Sequence, residues 1–273
     1  MYQRLPLNRK VGALPRVVNR RPCPNGTLTH IRRNIRYRRF SNRPSEGIAI
    51  EDLGRRLAEA GLRIGAIKLN PEHPFQWASG YRMPIYNDNR MFLFHPEYRK
   101  MIVEGLAAVM EREKIMPEVV AGTATAGIPH GALTAELLSL PFIYIREKPK
   151  SHGLRNRIEG IDAESDLGGR NVVVVEDLIS TGGSSARAVE AVREANGNCS
   201  WCLAIFSYGL ERAAEYFAAL DPPCQTRSLL TFDVLVAVAR AGGYLSESQL
   251  SLLAEWREDP FEWGERHGFP KVG

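Results

Sequence analysis

The chain lacks several features that would each mark a class of protein. No run of 18 apolar residues occurs, so no segment reads as a membrane-spanning helix, and no apolar stretch near the start suits secretion. Only four of the 273 residues are cysteine. Cys199 and Cys202 have the spacing of a zinc or redox pair, but no second pair and no close histidine accompany them. They fall in a strand-like run from Cys199 to Phe206, where residues three apart face opposite sides, and are read as buried, reduced packing residues. Gly-x-Gly-x-x-Gly is absent and no lysine follows the glycine-rich loops, which excludes a dinucleotide fingerprint and a Walker loop. There is no internal repeat.

Acidic residues are missing from one region only. Residues 1–45 hold twelve Arg or Lys and no Asp or Glu, so the formal net charge of +5 conceals 24 basic against 31 acidic residues, a net −7, in the remainder. This arm, with Arg32, Arg33, Arg36, Arg38, Arg39 and Arg43, has too little apolar content to offset chain entropy and is expected to be disordered. It reads as a nucleic-acid or membrane tether, as a mitochondrial-type presequence, or as upstream sequence included through a misplaced start codon. The last two are preferred, because no aromatic residues interleave with the charges as they do in single-strand binders. The body begins at Ile48-Ala49-Ile50 and is expected to be soluble and cytoplasmic, with no membrane or nucleic-acid partner.

What is present begins with Val172-Val173-Val174-Val175-Glu176-Asp177-Leu178-Ile179-Ser180-Thr181-Gly182-Gly183-Ser184-Ser185. Four β-branched residues in a row predict a strand buried on both faces, as in a parallel sheet covered by helices. The acids stand at its carboxyl end, where open α/β sheets bind ligands. A helix from Ala186 to Ala195 follows, so backbone N–H groups and hydroxyls of the loop can converge on a phosphate at the positive helix end. Glu176 and Asp177 suit a sugar diol, since a carboxylate accepts two hydroxyl hydrogens. Together they describe a site for a phosphorylated ribose.

The rest of the body alternates strand and helix. Glu51 to Ala60 predicts a short amphipathic helix capped by Gly61, and residues 64–94 are strand-rich and punctuated by Pro71, Pro74, Gly80 and Pro84. Then follow a helix from His95 through Glu113, strand Val119 to Gly122, helix Pro129 to Leu138, strand Phe142 to Ile145, the valine strand and its helix. Strand Trp201 to Tyr208, helix Arg212 to Leu220, strand Arg227 to Phe232, and helices Phe232 to Ala241 and Glu247 to Arg257 complete the series. Such alternation predicts parallel βαβ units. Between the Phe142 and Val172 strands lie 25 residues, Arg146 to Arg170, rich in cations and glycine. A loop of that length in a compact domain is usually functional, and a cationic one can neutralise a departing polyphosphate.

The order strand, Glu-Asp, two residues, Ser-Thr-Gly-Gly resembles the phosphoribosyl-pyrophosphate motif of the type I phosphoribosyltransferases. Four ordered anchors, over roughly residues 48–263, are similar to the orotate phosphoribosyltransferase family within that class. They are Lys68 with Pro74-Phe75-Gln76-Trp77-Ala78-Ser79-Gly80; Pro84-Ile85-Tyr86-Asn87-Asp88-Asn89-Arg90; Ala121-Gly122-Thr123-Ala124-Thr125-Ala126-Gly127-Ile128-Pro129; and Ile145-Arg146-Glu147-Lys148-Pro149-Lys150-Ser151-His152-Gly153, which leads to the Glu-Asp loop.

The resemblance implies an α/β type I phosphoribosyltransferase fold: a central parallel sheet flanked by helices, with a small hood built from both ends of the domain. Residues 46–273 would form that domain, the hood mainly 46–94, the core 95–240 and the C-terminal helices 241–263. The implied reaction is orotate plus phosphoribosyl pyrophosphate giving orotidine monophosphate and pyrophosphate, a step of pyrimidine (UMP) biosynthesis. Arg146, Lys150 and His152 match family positions that bind pyrophosphate and carry the catalysis, His152 as a potential proton donor. The ribose phosphate falls to Glu176, Asp177, Leu178, Ile179, Ser180, Thr181, Gly182, Gly183, Ser184 and Ser185, and orotate to Lys68, Phe75 and Ser180. Mg²⁺ is implied as cofactor, held mainly by substrate and water rather than by a protein cage. A homodimer that shares the catalytic loop across its interface is implied as well.

Three positions depart from the family pattern. Glu147 and Ala126 stand where many members carry lysine, and Ser207-Tyr208-Gly209 stands where an arginine is common, with Arg212 nearby. The rival reading is a non-catalytic sensor of phosphoribosyl pyrophosphate that binds nucleic acid through its arm. The Arg-x-x-x-Lys-x-His-Gly loop, which a sensor does not need, and the net −7 body weigh against it.

Overall fold

The computed structural model describes residues 50–77, 79–148, 157–162 and 165–272. All belong to one compact unit running from Pro44 to Gly273. Its elements are α1 (Ile50–Ile64), β1 (Ile67–Leu69), β2 (Phe75–Gln76), β3 (Arg82–Met83), β4 (Ile85–Asn87), a 3-10 helix (Asn89–Phe94), α2 (Pro96–Arg112), β5 (Val119–Thr123), α3 (Gly127–Leu138), β6 (Phe142–Ile145), β7 (Ile158–Glu159), β8 (Asn171–Ile179), α4 (Gly183–Glu194), β9 (Asn198–Ser207), α5 (Glu211–Ala218), β10 (Gln225–Thr231), α6 (Phe232–Ala241), α7 (Glu247–Glu258) and α8 (Trp263–Arg266). Among the described residues no helix is long and apolar enough to cross a membrane.

Six strands form the central sheet in the order β10-β9-β8-β5-β6-β7. The first five are mutually parallel, and β7 closes the edge antiparallel to β6. From β5 the chain moves one way to β6, and from β8 the other way to β9 and β10. The strand order therefore reverses between β5 and β8, and a crevice opens at their carboxyl ends.

The valine run shows why the sheet is covered on both sides. With a period of two, Val173 and Val175 enter a core with α1, α2, α6 and α7, while Val172 and Val174 enter a second core with α4 and α5. All four are essentially inaccessible, each contributing about 1.5–3 kcal/mol of apolar burial.

Two local expectations are corrected. Gly61 does not cap α1, which runs on to Ile64. Gly61 is instead a contact point: a Cβ there would lie 2.7 Å from Ile67 Cδ1, so the glycine lets β1 fold back onto the helix. Cys199 and Cys202 do not face opposite sides. Both lie in the α4–α5 core together with Cys224, because the pairing of β8 with β9 slips between Asn171↔Asn198 and Val173↔Trp201, and the extra residue turns a spacing of three into one face. All three thiols are free and buried.

The hood lies over the carboxyl edge. β1 pairs antiparallel with β4, setting Lys68 opposite Tyr86, and β2 pairs with β3, setting Phe75 opposite Met83. C-terminal residues hold this layer in place. Trp256 Nε1 donates to Met83 Sδ at 3.0 Å, and Val272 N–H donates to the Gly80 carbonyl at 3.0 Å.

Candidate active site

Four chain segments meet at the reversal point: the turn after β5, the end of β8 with the loop into α4, the Asn89 corner of the hood, and the residues leaving β9. Each is positioned by backbone hydrogen bonding, and Glu176 ties two of them together. β8 extends through both acids to Ile179, so strand alternation sends Glu176 to the α4 face and Asp177 to the hood face.

Glu176 is 7% exposed and accepts hydrogen bonds at both oxygens. Thr123 Oγ1 donates to its Oε1 at 2.6 Å, the Asp177 N–H donates to the same oxygen at 3.0 Å, and Ser185 Oγ donates to Oε2 at 2.9 Å. Burial, reinforced by the Asp177 charge, pushes its pKa up to about 8. Glu176 is spent mainly on internal partners, and the Asp177 carboxyl lies close enough for a side-chain hydrogen bond to act between the two acids.

Asp177 is joined to the hood through its backbone. Asn89, buried at 1% exposure, donates from Nδ2 to the Asp177 carbonyl at 2.7 Å. The neighbouring Arg90 holds Asp88 through two hydrogen bonds, Nε to Oδ1 at 2.6 Å and Nη2 to Oδ2 at 2.9 Å, and keeps that carboxyl below its ordinary range. The Arg90 charge also reaches Asp177, whose own pKa is raised because it is buried.

The phosphate loop fits an anion. Gly182 precedes α4 at φ +81, a conformation that side chains disfavour, and a Cβ there would lie 2.8 Å from Ala213 Cα on α5. No side chain caps this helix, so the first-turn N–H groups of Gly183, Ser184 and Ser185 remain available. Ser180 and Thr181 are half-buried and Ser184 is exposed, whereas the Ser185 hydroxyl is turned inward onto Glu176. Leu178 is half-buried and Ile179 buried.

The turn after β5 carries Ala124, Thr125 and Ala126, which lead into α3. The Ala124–Thr125 peptide is cis. Ala126 stands at the N-cap of α3 without a side-chain cap. On the hood, Lys68 is exposed in the middle of β1, opposite Tyr86, and Phe75 packs on the Tyr86 ring at a centroid distance of 5.9 Å. At the far side, Arg146 leaves β6 with its guanidinium on Glu159, Nη1 to Oε1 at 3.3 Å, and its N–H on the Arg157 carbonyl at 2.8 Å. Glu147 and Lys148 are exposed. Lys150 and His152 lie outside the described residues. Arg212 is not in the crevice contacts: its guanidinium lies over Phe261 at 5.5 Å and Tyr216 at 5.9 Å, lining a cavity of about 850 Å³ between α5, α6 and α7.

Sequence reasoning overlooked Thr123 and Asn89. Thr123 and Asn89 stood inside quoted anchors, but only the fold shows that each reaches β8. Among the described residues no group of three or more His, Cys, Asp or Glu side chains forms a metal cluster.

Comparison with known proteins agrees with this geometry. The phosphoribosyl transferase domain family matches residues 93–219. An orotate phosphoribosyltransferase of Lactiplantibacillus plantarum is 47% identical over 203 residues, covering 74% of this chain and 93% of that protein. One from Staphylococcus saprophyticus is 45% identical, covering 76% of this chain and 99% of that protein. Among solved structures, the orotate phosphoribosyltransferase of Aeropyrum pernix superposes with a TM-score of 0.58 at 28% identity, over 70% of this chain and 99% of its own. Leishmania donovani UMP synthase shares the fold at a TM-score of 0.61 and 21% identity, over 77% of this chain and 44% of its own. With that much of both chains aligned, and with the crevice built at the fold's switch point, this chain belongs to the orotate phosphoribosyltransferase family.

Proposed function

We propose that the chain transfers the phosphoribosyl group of phosphoribosyl pyrophosphate to orotate, releasing orotidine monophosphate and pyrophosphate for pyrimidine synthesis. The observation that carries this is the convergence of an uncapped helix end, a half-buried acid beside a buried one and a cationic, aromatic hood on one crevice. The α4 N-terminus with Ser180, Thr181 and Ser184 takes the 5′-phosphate, and Asp177 takes the ribose diol. Lys68 supplies the charge that a pyrimidine carboxylate requires, beside the Tyr86–Phe75 pair.

The chemistry needs no nucleophile from the protein. As pyrophosphate departs from the anomeric carbon, positive charge grows on the ribose and negative charge on the leaving oxygens, so the task is to position and neutralise. Arg146 provides a forked donor for phosphate oxygens at the edge of the crevice, and Lys150 and His152 continue that role on the loop. Mg²⁺, where bound with the diphosphate, neutralises further charge; Asp177 is the carboxylate that would stand beside it, because Glu176 is buried and both of its oxygens already accept hydrogen bonds.

A homodimer with the loop shared between subunits completes this reading. α3 leaves Leu133 and Leu137 exposed one turn apart, which supports an apolar contact. A cytoplasmic location is supported by the three free, buried thiols. The test is an initial-rate assay in which orotate is consumed only when phosphoribosyl pyrophosphate and Mg²⁺ are both added. Turnover of a purine base without turnover of orotate would overturn the assignment.

A further inference from the structure

Tyr208 directly follows β9, at the edge where the phosphate loop and the hood meet. Its N–H donates to the Ile179 carbonyl at 3.1 Å, which locks it beside the residue that precedes Ser180. Its ring is held on three sides, stacked on Trp77 with centroids 5.6 Å apart and edge-on to Phe206 at 5.1 Å and Trp256 at 5.6 Å. Trp77 is itself anchored, donating from Nε1 to the Ile85 carbonyl at 2.9 Å.

The side chain is 1% exposed, yet its hydroxyl makes no hydrogen bond among the described residues. The hydroxyl is not among the inaccessible polar atoms that lack a partner, so it remains reachable by a ligand as a donor without a protein partner. Asp177 and Tyr86, one on each wall of the crevice, are close enough to act on its charge. The backbone bond to Ile179 and the Trp77 stacking place this ring between the Ser180 loop and the hood, where a flat base would sit. Burial pushes its pKa up, so it remains an O–H donor at physiological pH. Arg212, the nearest cation in sequence, is occupied by the Phe261 and Tyr216 rings and leaves this position to Tyr208.

We propose that Tyr208 determines base specificity, its hydroxyl donating a hydrogen bond to an oxygen of the bound pyrimidine. The proposal rests on the orotate reading above. It differs from that reading in naming a donor on the core side, opposite the Lys68 wall.

The test is Tyr208→Phe in the full chain, which keeps the aromatic packing and removes one donor. The KM for orotate is expected to rise about tenfold, the scale of one lost hydrogen bond, while the KM for phosphoribosyl pyrophosphate and the thermal midpoint stay unchanged. An unchanged orotate KM, or equal rises in both KM values, would overturn the proposal while leaving the reaction assignment intact. A wild-type chain inert toward orotate would overturn the reaction assignment, and this proposal with it.

Discussion

Thr123 and Glu176 stand on the adjacent strands β5 and β8, 53 residues apart in sequence, and share a buried 2.6 Å hydrogen bond donated by the hydroxyl. Glu176 also receives Ser185 from the first turn of α4, so one carboxylate joins the turn after β5 to the phosphate loop. A motif that looks like a ligand clamp in sequence thus serves in part as a brace between two loops at the carboxyl edge of the sheet.

Thr123→Val preserves shape and removes the donor, leaving a buried carboxylate one partner short. A destabilisation of about 1–3 kcal/mol is expected in urea unfolding with an unchanged m-value. A loss well under 0.5 kcal/mol, on the order of an ordinary surface substitution, would show that the brace is not holding.

Asp177→Asn should act on substrate where Glu176→Gln acts on structure. The first is expected to raise the KM for phosphoribosyl pyrophosphate about tenfold or more with little change in thermal midpoint, since it weakens acceptance of the ribose hydroxyls. The second is expected to lower the midpoint. A larger substrate effect from Glu176→Gln would reverse the division of roles.

Gly127 opens α3 directly beneath the brace. A Cβ at this position would lie 2.3 Å from Thr123 Oγ1 and 2.5 Å from the Val175 carbonyl, both pinned. Gly127→Ala is therefore expected to cost about 1–3 kcal/mol by overpacking and to reduce turnover more than Thr123→Val does. Calorimetry together with initial rates on both variants measures the difference.

Two buried groups give opposite pH dependences. His130 is fully buried with neither ring nitrogen partnered, and burial lowers its pKa to about 4. The unfolded chain binds this proton first, so stability falls as pH drops from about 6.5 toward 4, and His130→Leu should flatten that limb. Glu176 has a raised pKa, so the folded state binds the proton more tightly. Its contribution is present at low pH and declines as pH rises from about 4.3 toward the raised value. Glu176→Gln should remove that decline, and thermal midpoints measured from pH 4 to 9 on the three proteins separate the two limbs.

Lys150→Ala and His152→Ala are each expected to lower kcat by about 10² or more, the usual scale for losing an electrostatic or proton-donating contribution in the transition state. Near-normal rates in both would remove the loop from the mechanism.

The parts of the fold legible beforehand are those written locally. Strand Phe142–Ile145 and helix Phe232–Ala241 have the bounds that their apolar patterns predict, and the valine run splits between two cores as a period of two requires. The parts that were not legible depend on registry between distant segments. A bulge in β9 puts Cys199 and Cys202 on one face, and the packing of Ile67 against α1 turns Gly61 from an apparent cap into a contact.

The same division runs through the site. The amino-acid order by itself determined a phosphate loop at the end of a buried strand and, through its resemblance, a pyrimidine-directed transferase, because hydrophobic period, turn chemistry and motif spacing are local properties. Only the tertiary structure decided that Glu176 braces the turn after β5 against α4, that Ser185 turns inward, and that the Tyr208 hydroxyl has no partner among the described residues. Which acid points where follows from the face of β8 on which it falls, and what it meets there follows from helices and strands brought in from 9 to 53 residues away.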